Sequence, residues 1–315
     1  IANFASTSAT LKASSFPCLC ISGLNHFSLA AYGLPVRCPT LNARGHPLTS
    51  KDSLSGGWLC LPGWASHPLK HATLPGRTRA CFSDRFAGQT IAHFARSDLK
   101  ADTAIIVQDA TSDYSMGLSE VFAESFEKEG GHVLERISYK TPLESYENLI
   151  DQIVALHADV LFLPGYDESG TIIKRCREKG MKAIPLGGDG WNFQEFYKRI
   201  GTMGTGSYFC AHYVKHSGNL EAMRFEGNCP DLVTDAASLS DIALGYDTVR
   251  LLADAIRRAG SLDHKAIRDA LAATKGFQGA TGEITYPEGG RDPQKAVAIM
   301  KIQGDHAVLV KWYRP

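Results

Sequence analysis

From about residue 77 the chain alternates short apolar runs with stretches whose apolar residues recur every three or four positions. Phe86, Ile91, Phe94 and Ala95 fall at helical spacing, and Ala104 to Val107 follows as a short β-branched strand. A helix is expected after the loop QDATSDYS, with Leu118, Val121, Phe122 and Phe126 on one face and Gly130-Gly131 as its stop. His132 to Ser138 reads as a strand, 145–157 as an amphipathic helix, and 159–163 (DVLFL) as a continuous apolar strand. A run without polar alternation is the pattern of a strand covered on both faces. The same rhythm predicts a helix over 168–179, a strand at Ala183 to Leu186, a helix from Trp191 to Ile200 and a strand from Ser207 to Tyr213.

Parallel strands need a crossover between them, so this regular alternation predicts a parallel sheet with helices on both faces. After a polar passage the longest helix is expected from about Asp235 to Ala259, with Leu239, Ile242, Tyr246, Val249, Leu252 and Ile256 in one stripe. A helix from Asp263 to Thr274 precedes strands near Ile284 to Tyr286, Ala296 to Ile302 and Ala307 to Trp312. Helices followed by a strand-rich tail point to a second lobe.

Composition changes the picture at the front. Residues 1–76 hold one acidic residue, Asp52, against five basic ones, and carry four of the eight cysteines and half of the 14 prolines. They lack the periodic apolar pattern of the rest and read as an atypical, poorly specified segment. Cys18, Cys20, Cys38, Cys60, His26, His46, His67 and His71 are potential metal ligands. Zinc modules pair C-x2-4-C with H-x3-5-H; His67 and His71 fit the second spacing, Cys18 and Cys20 do not fit the first, and no metal site is assigned. The whole chain has 33 basic and 33 acidic residues among 315. That balance gives no reason to expect nucleic acid as a partner. No stretch approaches the ~18–20 continuous apolar residues of a membrane span, so stable membrane insertion is not expected.

Ligands of open parallel sheets bind outside the carboxyl ends of the strands. Three strand-exit loops, TSDYS, PGYDESG and GGDG, bring Tyr114, Tyr166 and Asp189 toward one edge. An α-amino acid fits this set: Asp189 can accept from its ammonium, and the tyrosines offer aromatic walls with hydroxyls. Equally, Asp189 can serve as the cap of the following helix and Tyr114 as a packing residue. The pairs Asp109 with Asp113 and Asp167 with Glu168 read as solvated loop carboxylates. Nucleophile-elbow, zincin, P-loop and C-x-x-C motifs are all absent, and the order of glycines in GTMGTG is wrong for a dinucleotide fingerprint. No catalytic residue and no cofactor are assigned. Cys81, Cys176, Cys210 and Cys229 read as buried, inert thiols.

The motifs RACFSDRFAGQTIAHFA, IIVQDATSDYSMGL, DVLFLPGYDESG, AIPLGGDGW, ALGYDTVRLLADAIRRAG and AIRDALAATKGFQGATGEITYPEGG occur in a fixed order. Over about residues 79–313 the chain resembles the leucine/isoleucine/valine-type substrate-binding proteins of ABC transporters, the type I periplasmic binding proteins. The resemblance implies two α/β lobes joined by three crossover strands and closing on a ligand, with the first lobe here incomplete. It implies that 100–216 and 291–315 form one lobe, and that 77–99 and 217–290 are the remnant of the other. Tyr114 and Tyr166 match the family's ligand-contacting tyrosines, and Asp189 matches its ammonium-binding acid. Asp167 stands where a second aromatic is common. The family's carboxylate-binding hydroxyls lie in a region with no counterpart in residues 1–76.

The function so implied is that of a solute-binding component of an ABC-type uptake system, taking an amino acid, branched-chain in particular. Its implied partner is a transporter permease and its implied location periplasmic or extracellular. An amide- or small-molecule-sensing receptor on the same fold is the alternative.

Overall fold

A computed structural model of the chain describes residues 59–61, 77–142, 145–229, 239–290 and 292–315. The expectations for the rest of 1–76, including its potential metal ligands, lie outside the described residues. One strand there was not foreseen: β1 (Leu59–Leu61) pairs in parallel with β2 (Arg77–Arg79).

The chain then winds one large sheet. Helix α1 (Asp84–Ser97) begins where the Ser83 side chain accepts from Phe86 N at 3.2 Å. Strand β3 (Thr103–Asp109) leads to α2 (Asp113–Lys128), capped by Ser112 on Ser115 N. These side-chain caps satisfy amides that a helix start leaves without partners. There follow β4 (His132–Tyr139), α3 (Glu147–Ala155), β5 (Val160–Phe162), α4 (Asp167–Glu178) and β6 (Ile184–Gly187). A 3₁₀ turn (Asp189–Trp191), α5 (Gln194–Ile200) and β7 (Tyr208–Ala211) complete the winding. Two strands return from the end of the chain, β10 (Val297–Gln303) and β11 (His306–Tyr313). The order across the seven-stranded sheet is β11-β10-β7-β6-β5-β3-β4, with pairing parallel from β4 to β7 and antiparallel at β10 and β11.

Alternation along each strand splits the core between the two faces. Ile105, Val107, Leu161 and Ala298 face Ile150 and Ile153 of α3, Ile172 and Ile173 of α4 and Phe196 of α5. Ala104, Ile106, Phe162 and Ile299 face Ile91 and Phe94 of α1 and Leu118, Phe122 and Phe126 of α2. The sheet is therefore covered on both sides, as its apolar strands predicted.

A second body is built from α6 (Leu220–Asn228), α7 (Leu239–Ala259), α8 (His264–Ala272) and the hairpin of β8 (Phe277–Gly279) and β9 (Gly282–Ile284). Its cores gather Leu251, Ala255, Ile267, Leu271 and Tyr286, and Tyr213, Phe225, Leu239 and Ala243. The chain passes between the two bodies three times. Ala80 packs in the second body and Phe82 against the sheet; Ala211 packs against the sheet and Tyr213 in the second body. Tyr286 and Val297 mark the third passage in the same way.

Two expectations change here. The expected grouping of 77–99 with 217–290 does not extend to α1, which buries Ala87, Ile91, Phe94 and Ala95 against the large sheet and α2. Helix α6 lies in what read as a polar passage. Its Leu220 and Met223 point to solvent, 71% and 56% exposed, while Ala222 and Phe225 are buried. Its apolar letters therefore form no inward stripe that a pattern could reveal.

Phe122 is fully buried, with ring centroids 4.1 Å from Phe162 and 5.4 Å from Phe126. Phe122→Ala should cost about 3–5 kcal/mol of unfolding free energy in urea titrations. Leu262→Ala, at a site 58% exposed, should stay within about 0.5 kcal/mol of the parent.

Candidate functional site

Strand β3 lies between β4 and β5, so the winding reverses direction at β3. The crevice opened by such a reversal is where ligands of wound sheets sit. The loops leaving β3, β5, β6 and β7 carry Tyr114, Tyr166, Asp189 and His212 to this edge.

Each loop is held by buried polar contacts. Glu168, in the first turn of α4, accepts from Tyr139 Oη and from Tyr166 N, both at 3.0 Å, which fixes the turn before the helix. Asp109 accepts from the Thr111 amide at 2.8 Å and from its hydroxyl at 2.7 Å, and the Asp109 amide donates to Ser115 Oγ at 2.9 Å. Asp109 and Glu168, expected as solvated loop carboxylates, are instead buried and act as structural acceptors. The turn carrying Asp189 is seated by Trp191, fully buried and stacked on Phe196 with centroids 4.8 Å apart. Glycine is required on either side of Asp189. A β-carbon on Gly188 would collide with Tyr114 Oη, and one on Gly190 would lie 2.6 Å from the Gly165 carbonyl oxygen.

The geometry converges on Asp189. Tyr114 Oη donates to Asp189 Oδ1 at 2.9 Å and accepts from Gly190 N at 3.2 Å. His212 Nε2 lies 3.0 Å from Asp189 Oδ2. The rings of Tyr114 and Tyr166 stack with centroids 5.4 Å apart. All three residues expected at the site therefore meet. The Asp189 side chain keeps 17% of its surface exposed and Tyr166 keeps 44%, whereas Tyr114 is buried. Asp189 and Tyr166 are thus the groups that face outward.

Burial alone would raise the Asp189 pKa, but the hydrogen bond from His212, with the bond from Tyr114, holds it below the ordinary carboxylate value. Burial, and then the negative charge of Asp189, push the Tyr114 hydroxyl well up and Tyr166 to about 12, so both stay protonated donors. Burial lowers His212, against the opposing pull of Asp189. The ring is therefore neutral near pH 7.

Sequence reasoning missed three further groups. His212 directly follows the apolar strand YFCA, and a polar ring at the carboxyl end of a buried strand was the signal available. Asp84 opens α1, and burial followed by the field of Asp189 raises its pKa to about 8. Asp241, near the start of α7, is raised by the same two causes. The second body reaches this edge through Asn192 Nδ2, which donates to Ser240 Oγ at 2.6 Å. Among the described residues no group of His, Cys, Asp and Glu is placed to hold a metal ion, and no helix is long and apolar enough to cross a membrane.

A family profile described as "Periplasmic binding protein" matches residues 75–307. The chain belongs to the periplasmic binding proteins. It is 24% identical over 248 residues to Leu/Ile/Val-binding protein homolog 3 of Brucella melitensis, across 78% of this chain and 66% of that relative's length. A solved leucine-binding protein, LivK of Thermotoga maritima, is 28% identical, with a TM-score of 0.75 over 82% of this chain and 73% of its own. LivJ of Streptococcus pneumoniae, solved in complex with isoleucine, shares the fold at a TM-score of 0.72 and 24% identity, over 82% and 73% of the two chains. The resemblance read in the motifs is thus to the family the chain belongs to. The doubly covered, mostly parallel sheet is the fold of these neighbours, and the relatives named are binding proteins and not enzymes.

In this periplasmic binding protein the Tyr114 bond should be legible in acid. The folded-state pKa of Asp189 is depressed, so its stabilisation is present above the unfolded carboxyl value near pH 4 and is lost as pH falls through the folded value. Tyr114→Phe removes one donor, should cost about 1–2 kcal/mol at pH 7, and should move the acid loss to higher pH. Urea titrations at a series of pH values check both; an acid limb identical to the parent's would refute the assignment.

Proposed function

We propose that the chain is the solute-binding component of an ABC-type uptake system and takes an α-amino acid, with branched-chain side chains preferred, at the carboxyl edge of its large sheet. Asp189 carries the reading. It is an ionised carboxylate, partly open to the crevice and bonded to Tyr114, whose ring stacks on that of Tyr166, and its remaining accepting directions suit an ammonium group. The exposed Tyr166 ring, backed by the buried ring of Tyr114, supplies a wall for the cation and for the start of an aliphatic side chain.

The names of the relatives support the ligand class: Leu/Ile/Val-binding, leucine-binding, and LivJ in complex with isoleucine. The three passages between the bodies support a two-lobe clamp, with α1 counted in the lobe of the large sheet. A permease partner and a periplasmic or extracellular location follow from the family and complete the proposal.

Asp189→Asn keeps shape and removes charge. It should weaken leucine, isoleucine or valine binding by about 1.5–3 kcal/mol, roughly ten- to a hundredfold. Isothermal titration against these three and a panel of small amides is the test. An unchanged affinity in the Asn variant would remove Asp189 from the site. Binding of amides alone would favour the sensing receptor over the amino-acid carrier.

A further inference from the structure

His212 is 2% exposed and sits where the chain leaves β7 for the second body. Its ring stacks on Phe82 with centroids 3.6 Å apart and planes 26° from parallel. Phe82 belongs to the first passage between the bodies, so the pair clamps two of the three passages together. Nε2 points at Asp189 Oδ2, and Nδ1 is buried without a hydrogen-bond partner among the described residues. An ionised carboxylate only accepts, so the proton of the neutral ring belongs on Nε2. A second proton on Nδ1 would find no acceptor among the described residues.

We propose that His212 is the positioning residue of the ligand site: its Nε2-protonated ring aims the Asp189 carboxylate into the crevice and makes amine affinity depend on pH. The inference rests on Asp189 as ammonium acceptor. Hydrogen bonds from Tyr114 and His212 take one oxygen each, so neither oxygen can swing away from the crevice. When the ring gains its second proton, an imidazolium sits 3.0 Å from Asp189, offsets its charge and repels an incoming ammonium.

Several other ionisable groups face this pair. Asp189 is flanked by Asp84 of α1, Tyr114 of α2, Tyr166 before α4, Cys210 of β7 and Asp241 of α7. Lys295, in the third passage, faces His212 and opposes its protonation. It is held by the Ala80 carbonyl at 2.9 Å and by Thr281 Oγ1. Asp84 and Asp241 gain charge as pH rises, which also favours an ammonium. The wild-type profile alone therefore cannot assign the effect to His212, and a variant that keeps the donor without titrating is needed.

The test combines leucine titration calorimetry between pH 5 and 8 with ring ¹⁵N chemical shifts of His212 in the unliganded full chain. The expected ring is the Nε2–H tautomer at pH 7.5, taking its second proton only below the ordinary imidazole value of about 6.5. Wild-type leucine affinity should fall below that point by up to tenfold per pH unit. His212→Phe, which keeps the stacking and loses the donor, should bind at least tenfold more weakly at pH 7.5. His212→Gln should recover most of that loss and show a shallower slope below pH 6.5. An Nδ1–H tautomer, equal affinity in the Phe variant, or an undiminished slope in the Gln variant would overturn the proposal. If the wild type binds leucine at no pH, the functional reading fails separately. The positioning role is then decided by whether Asp189→Asn shifts the His212 resonances and pKa; no shift rejects it.

Discussion

Five strands that run the same way cannot be joined by tight turns. Each of β4, β3, β5, β6 and β7 must be reached over the face of the sheet, which puts every exit loop on one edge and a helix behind each loop. That constraint produces the crevice. Four side chains from positions 114 to 212 meet within hydrogen-bonding or stacking distance because their strands end side by side. Nothing local in the chain would otherwise bring them together.

The same arrangement buries charge, and the carboxylates beneath and beside the site are met by donors. Asp247, fully buried in α7, accepts from the Ala280 amide at 2.6 Å and the Thr281 amide at 2.8 Å, tying the long helix to the β8–β9 hairpin. Glu168 and Asp109 do similar work beneath the site loops. Asp189 differs in one respect. Its donors are side chains from other elements, Tyr114 in the first turn of α2 and His212 just after β7, so its state depends on how those elements are held and not on its own turn. An acid already satisfied by its neighbours can stay ionised half-buried, the condition an amine-binding group has to meet.

Much of this was legible in the amino-acid order. The helices that became α2, α3, α4 and α7 follow from apolar residues at helical spacing, and DVLFL is a strand covered on both faces. The convergence of Tyr114, Tyr166 and Asp189 followed from their places after strands. What stayed hidden depends on tertiary contact. Helix α6 turns Leu220 and Met223 to solvent, so its pattern is misleading. His212 looks like any residue after a strand until Asp189 is set beside it. Helix α1 could have joined either lobe, because an amphipathic stripe does not say which surface it will meet. The burial of Glu168 depends on Tyr139, a partner 29 positions earlier.

Strand β7 also waits for its partner. Its outer edge, Tyr208–Ala211, is paired antiparallel by 298–301 of β10, which the ribosome supplies some ninety residues later. The whole second body is synthesised in between. Through that interval the growing sheet ends in an open, apolar strand edge, the kind of template on which chains join wrongly. The last segment of the chain therefore acts as a closing seam. A product cut short before residue 297 would retain the crevice loops yet expose Phe209 and Cys210 along an unfinished border, and its hazard would be self-association in place of simple loss of binding.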